Sequence, residues 1–182
     1  MSVREQRREA AIERMADHLL AEGLAGASLR PLAAAAGSSD RMLLYYFTDK
    51  DDVLAATLGR VAARLTAMLD AALEPGAKLP ADALLGAVWS AMSSETLAPF
   101  MRVWLEVVAG AARGQEPHRA IASGILGGFA DWIDGHIDAT DAQRPGQAAL
   151  LLATVDGALL LDAAGRRDLA DAAIAAACAA RP

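Results

Sequence analysis

Residues Ser28 to Lys50, SLRPLAAAAGSSDRMLLYYFTDK, carry the pattern on which the architecture of this chain turns. They read as two short helices around a glycine turn, entering a third and longer helix. Ser28 stands at an N-cap, and Leu29, Leu32, Ala33 and Ala36 keep one face apolar. Pro31 falls in the first turn, where its missing N–H costs little. Gly37 supplies the left-handed backbone that ends a helix. Ser38 or Ser39 caps the next, which runs through Leu43 to about Phe47. Helix, short glycine turn, helix is the arrangement that lays a second helix in the major groove of DNA.

On the N-terminal side, Ser2 and Glu5 have capping-box spacing. The helix they open carries Ile12, Met15, Ala16, Leu19 and Leu20 on one face, and Gly23 stops it. Arg4, Arg7, Arg8 and Arg14 lie on or near its exposed side. They form either a solvated helix face or an N-terminal arm that touches phosphates. On the C-terminal side a sustained apolar stripe, Leu54, Leu58, Val61, Leu65, Met68 and Ala72, predicts one helix from about Asp49 to Leu73. Some 25 residues of helix span roughly 37 Å, enough to join a small head to a second module. Pro75, Gly76 and Pro80 then break the chain.

Five more helices follow. Leu84, Leu85, Val88, Trp89 and Met92 mark the first, and Met101, Trp104, Leu105 and Val108 the second. Gly114 and Pro117 separate it from a third that carries Ile121, Ile125, Phe129, Trp132, Ile133 and Ile137. Pro145 opens a fourth, which ends at Gly165, and the last runs from about Arg167 to Ala180. No strand-like alternation is evident, so the fold class is all-α with about nine helices. The expected division is a three-helix head over residues 1–50 and a helical domain over residues 51–182.

Composition supports this. Of 182 residues 54% are hydrophobic but only 4% aromatic, with alanine making up the difference, and alanine favours helix. The net charge of −6 runs against simple expectations for a DNA binder. Residues 1–60 hold 8 basic and 9 acidic side chains, so most of the acid excess lies beyond the head. Cys178 is the only cysteine, which excludes an intrachain disulfide and a cysteine-based zinc cluster. The apolar stretch Ala148 to Leu161 is interrupted by Thr154, Asp156 and Gly157 and is short for a bilayer. The N-terminus lacks the apolar core of a signal peptide, and a cytoplasmic location without membrane partners is the expectation.

The segment GSSDRMLLYYFTDKDDVL, Gly37 to Leu54, resembles the signature of TetR-type (tetracycline-repressor-like) transcriptional regulators. In that family the helix-turn-helix ends in an aromatic pair plus Phe, followed by a polar residue and a Lys that opens a long helix. Tyr45, Tyr46, Phe47, Asp49 and Lys50 stand at those positions. The resemblance implies a homodimer on a palindromic double-stranded operator, with a small-molecule effector bound by the C-terminal helices. No catalytic residue, metal or cofactor is expected from the residues present.

Base reading falls to the first turns of the second short helix. Arg41 could form a bidentate pair with guanine O6 and N7, Asp40 could accept from cytosine N4, and Met42 and Leu44 could touch a thymine methyl. The plainer reading has Asp40 as a cap and Arg41 solvated. The resemblance places Arg30, Tyr45, Tyr46 and Lys50 on phosphates; Ser28 and Ser39, at the helix starts, complete the candidate DNA-contacting set. Lys50 also sits at a helix N-terminus, where free N–H groups and the dipole favour an anion. Family members commonly carry a basic residue, then Gly or Ala, then Thr or Ser, where Asp40, Arg41 and Met42 stand here. Leu44 replaces a usual Tyr, so no operator sequence carries over.

Met68, Trp89, Met92, Phe100, Met101, Trp104, Phe129 and Trp132 gather the large apolar side chains in the middle of the chain. They are either core or the lining of an effector pocket. Arg102 and Glu106 flank Trp104 and could orient a polar effector group or be solvated. The last two helices are rich in small residues, and Leu151, Val155, Ala158, Leu159, Ala172 and Ala176 are the candidate dimer face. Asp156 and Gly157 within that stretch suggest a close backbone approach. His136 with Asp134 and Asp138 reads as a solvated helix end rather than a metal site. No GxSxG, P-loop or GxGxxG occurs. Two rival readings remain: an all-α ligand-binding protein or enzyme that merely carries the head, and a DNA-binding protein without an effector.

Overall fold

The computed structural model describes residues 2–179, in which every regular element is helical. The order is α1 (Val3–Glu22), a 3-10 turn (Leu24–Gly26), α2 (Leu29–Ala35), α3 (Asp40–Tyr46), α4 (Lys50–Ala71), α5 (Ala81–Met92), α6 (Ala98–Ala112), α7 (Glu116–His136), α8 (Arg144–Ala163) and α9 (Arg167–Ala179). Nine α-helices thus lie among the described residues, as the apolar periodicity predicts. Ala180, where the last helix was expected to end, lies outside them.

The helix ends follow local chemistry. At α1 the Ser2 hydroxyl accepts from the Glu5 N–H at 3.2 Å while the Glu5 carboxylate accepts from the Ser2 N–H at 2.5 Å, a complete capping box. Gly23 ends α1 with φ 72° and Gly37 ends α2 with φ 64°, a backbone that strains any residue with a Cβ. Ser39 caps α3, its hydroxyl accepting from the Met42 N–H at 3.3 Å. Ser28 occupies the N-cap position of α2, but its hydroxyl makes no capping bond. Pro117 lies inside the first turn of α7, where proline is tolerated, and Gly114 alone makes the break before it.

The described residues divide into two compact units. One holds the chain up to Leu65 together with Arg102–Ile125; the other holds Thr66–Met101 and the residues from Leu126 onward. The first unit therefore contains all of residues 2–50, most of α4 and parts of α6 and α7. Its core is built from Ile12, Met15 and Leu19 of α1, Leu32 of α2, Leu43 and Phe47 at α3, Val53 and Leu58 of α4, and Val103 and Val107 of α6. Thr57 is the one fully buried polar side chain there, and its hydroxyl donates to the Val53 carbonyl at 2.7 Å, which meets the need created by burial.

An ion-pair ladder fastens α1 to α4 in this unit. Arg60 bonds both Glu9 and Glu13, and Arg64 bonds Glu13 and, at 2.7 Å, Asp17. The hydrogen bond from Arg64 holds the Glu13 carboxyl below its ordinary value, with the nearby charges of Arg64 and Arg60 acting in the same direction.

In the second unit α8 packs on α9, and α5 packs on both. Leu84, Leu85, Val88 and Trp89 meet a buried set of Leu151, Val155, Ala158 and Leu159 from α8 and Ala170 and Ile174 from α9. Trp89 Nε1 donates to Asp171 at 2.9 Å, and the Arg167 guanidinium lies 5.1 Å from the centre of the Trp89 ring. Leu79 and Ile137 form an isolated bridge. The α8 helix runs for 20 residues, longer than the interrupted apolar stretch suggested, and is long and apolar enough to cross a membrane by length and composition. Here it is a packing helix, with one face on α5 and α9.

Candidate nucleic-acid interface

The α3 helix is short, and its two faces are cleanly separated. Leu43 and Phe47 are buried in the first unit and hold it to the core. Asp40, Arg41, Met42, Leu44 and Tyr45 all point to solvent, Tyr45 with 60% of its surface exposed. Three exposed apolar side chains on a seven-residue helix are costly in water unless something covers them. Met42 and Leu44 flank Arg41 on this face, so the helix offers one cation between two apolar contacts. Asp40 is at the first position of α3 and is not its cap; Ser39 is.

Around α3, Ser28 and Arg30 are exposed at the start of α2. Tyr46 is half-buried against the core cluster and sits edge-on to Tyr45, with ring centres 5.4 Å apart. Two arginines of α1 are engaged with this aromatic end. Arg4 donates to the Tyr45 carbonyl at 3.1 Å and its guanidinium lies 4.8 Å from the Tyr45 ring centre. Arg8 lies 4.6 Å from the centre of the Phe47 ring. These two therefore brace α3, while Arg7 and Arg14 remain on the exposed side of α1.

Lys50 is exposed at the first position of α4, as expected, but the N-terminus there is not open. The Asp49 carboxylate accepts from the N–H groups of Asp51 and Asp52, both at 2.9 Å, and Asp52 accepts from the Thr48 N–H at 2.8 Å. The helix start is thus capped by its own carboxylates. A phosphate at this corner would be met by the Lys50 ammonium, not by the helix N–H groups.

The residues proposed for an effector are spread over both units. Trp89, Met92, Met101 and Trp132 are buried, Phe129 is half-buried, and Met68 is exposed, all in the second unit. Trp104 belongs to the first unit, where it packs against the head core. Trp132 Nε1 donates to Asp70 at 2.5 Å, and its ring stacks on His136 at 4.3 Å between centres. His136 Nε2 lies 3.4 Å from Asp70 as well, while Asp134 pairs with Arg144, so His136, Asp134 and Asp138 do not converge. Arg102 and Glu106 are not directed at an effector: Arg102 binds the C-terminal end of α1 and Glu106 the 3-10 turn just after it. Only a contact some 80 residues away in sequence explains them, and no local signal could have found it.

Of the candidate dimer residues, Leu151, Val155, Ala158 and Leu159 are buried within their own unit, whereas Ala172 and Ala176 are exposed. The outward face of α8 carries Leu150 at 68% and Leu160 at 62% exposure, with Ala153 and Gly157 between them. The close backbone approach expected at Gly157 is not made within the chain, since a Cβ there would meet nothing within 4 Å.

Solved structures give this arrangement its class. The candidate transcriptional regulator SCO7518 from Streptomyces coelicolor A3(2) superposes with a TM-score of 0.71 at 29% identity, over 93% of this chain and 96% of that one. A transcriptional regulator from Rhodococcus sp. RHA1 matches with a TM-score of 0.66 at 28% identity, over 92% and 91%. A TetR-family regulator from Cytophaga hutchinsonii shares the fold with a TM-score of 0.71 at 21% identity, over 97% and 93%. No protein-family model matches the chain, and no curated protein matches it. The molecule is thus a helix-turn-helix transcriptional regulator of all-α architecture. Its fold is shared over 97% of the chain with a TetR-family regulator. Its neighbours are regulators, not enzymes.

Proposed function

We propose that this chain is a sequence-specific repressor that binds a palindromic operator as a homodimer and leaves it when a small-molecule effector binds. In this reading residues 1–50 are the DNA-binding head and residues 51–182 bind the effector and the second copy, in the cytoplasm. The observation that carries it is the two-faced α3: Leu43 and Phe47 anchor it, and Asp40, Arg41, Met42, Leu44 and Tyr45 are left uncovered. Arg41 reads a guanine, Met42 and Leu44 meet thymine methyls, and Asp40 accepts from a cytosine amine. Ser28, Arg30, Ser39, Tyr45, Tyr46 and Lys50 ring this face and hold phosphates, which set register without reading sequence.

The outward face of α8, with Leu150 and Leu160, and the exposed alanines of α9, Ala172 and Ala176, supply the contact with a second copy. Their partners Leu151, Val155, Ala158 and Leu159 support that face from beneath. Small residues between the two leucines let a second helix approach closely, as in a four-helix packing. The effector is held among Met68, Trp89, Met92, Met101, Phe129 and Trp132 of the second unit. It acts by population shift: it binds preferentially a conformer in which α4 tilts and the recognition helices lose their one-turn spacing.

The test is DNA binding by Arg41→Ala and Lys50→Ala variants that retain their helix content. Loss of sequence preference in the first and of overall affinity in the second supports the reading. Binding unaltered in both would remove the head from the function.

A further inference from the structure

Arg102 and Glu106 lie one turn apart on the same face of α6; Arg102 grips the C-terminal end of α1 and Glu106 the 3-10 turn that follows it. Arg102 donates to the Leu20 carbonyl at 2.7 Å and to the Ala21 carbonyl at 3.3 Å. These carbonyls belong to the last turn of α1, where the helix itself offers few partners. That turn holds no basic residue, so the Arg102 guanidinium also supplies the positive charge that a helix C-terminus favours. Glu106 accepts from the Leu24 N–H at 2.5 Å. The carboxylate packs over Gly23, where a Cβ would lie 2.9 Å from a Glu106 oxygen and would displace it. The other end of α1 holds the recognition helix, through Arg4 on Tyr45 and Arg8 on Phe47.

We infer that α1 is a lever between α6 and the recognition helix, and that Arg102 and Glu106 are the positioning residues that set its angle. The inference rests on the reading that α3 contacts DNA and names how that contact is regulated. The grip is polar and directional at two side chains, so a rotation of α6 about its axis breaks all three bonds together. An apolar contact would tolerate the same rotation. From Leu20 the helix then carries the change about 24 Å to Arg4 at the aromatic end of α3.

Hydrogen exchange on the full chain tests this without DNA. Arg102→Ala, Glu106→Ala and their double variant are compared with the original chain and with Glu106→Gln, whose amide oxygen can still accept from Leu24. The double variant is expected to speed exchange of the Leu43–Phe47 amides by about tenfold or more, the loss of one or two charge-assisted hydrogen bonds. Amides of α5, α8 and α9 stay as they were, and Glu106→Gln restores the protection lost in Glu106→Ala. An effect confined to Leu20–Ala27 overturns the lever, and so does a uniform loosening of all helices. With a duplex recovered from a random pool, the double variant should also bind about tenfold more weakly. Unchanged binding by a double variant with a loosened α3 overturns the regulatory role. If the original chain recovers no duplex, the DNA-binding reading fails instead, and the exchange result still judges the lever.

Discussion

In the proposed function, base reading rests on Arg41. It stands exposed on α3 between Met42 and Leu44 and makes no hydrogen bond or ion pair among those described. A bidentate guanine pair is worth about 1–3 kcal/mol of discrimination, so Arg41→Ala should flatten preference at one base pair of each half-site and leave the melting temperature unchanged. Competition with single-base variants of the site measures this; preference kept at every position would exclude Arg41 from base reading. Lys50→Ala should act differently, weakening all sequences alike and lowering the slope of log affinity against log salt by about 1 per Lys50 phosphate contact. Glu13 carries a prediction about pH. Its folded value is lowered from 4.5, chiefly by the Arg64 hydrogen bond, so its stabilising effect is present above that ordinary value and disappears as pH falls through the lowered one. Melting temperatures from pH 7 downward should therefore fall more steeply for the original chain than for Glu13→Gln once pH drops below about 4.5. Parallel curves would mean that the ladder contributes nothing to acid lability.

At the scale of elements, the turn between α2 and α3 is the critical junction. Gly37 has φ 64° and open space where a Cβ would be, so Gly37→Ala suffers only the backbone penalty, which exceeds about 0.4–1 kcal/mol. Gly59 is exposed in the interior of α4, also with open space around a Cβ, and Gly59→Ala should instead stabilise by about 0.5–1 kcal/mol. Denaturant titration of the pair gives shifts of opposite sign; the same sign in both would contradict the assigned turn. These elements were readable in the sequence because their signals are local. The capping box at Ser2 and Glu5, the glycines at 23 and 37 and the apolar stripe of α4 all act within a turn or two of themselves. The inward face of α3 was readable for the same reason, through Leu43 and Phe47. What escaped was set by partners distant in the chain. Arg102 and Glu106 meet α1, Arg4 and Arg8 stack on Tyr45 and Phe47, and the buried leucines of α8 face α5 and α9 rather than a second copy. Asp49 escaped for a subtler reason: three acidic residues around Lys50 compete for the same N–H groups, and spacing alone does not say which wins.

For the whole molecule, the central matter is how an acidic chain of net charge −6 holds DNA. The head is nearly neutral, and the start of α4 is occupied by its own carboxylates, so attraction to phosphate is weak and base contacts must carry more of the binding. In the proposed homodimer two heads on one operator compensate, so that reading makes dimerisation a condition of function. Leu150→Glu with Leu160→Glu should give a folded monomer by sedimentation, with operator affinity lost although α3 is untouched. A dimer that survives both changes would move the interface elsewhere. The measurement that bears most directly on the regulator reading is selection of random duplex DNA on the purified protein at near-physiological salt. The expected product is a palindrome whose half-sites lie one helical turn apart, about 34–36 Å, each with a guanine opposite Arg41 beside thymines. A folded, dimeric protein that enriches no sequence would contradict it.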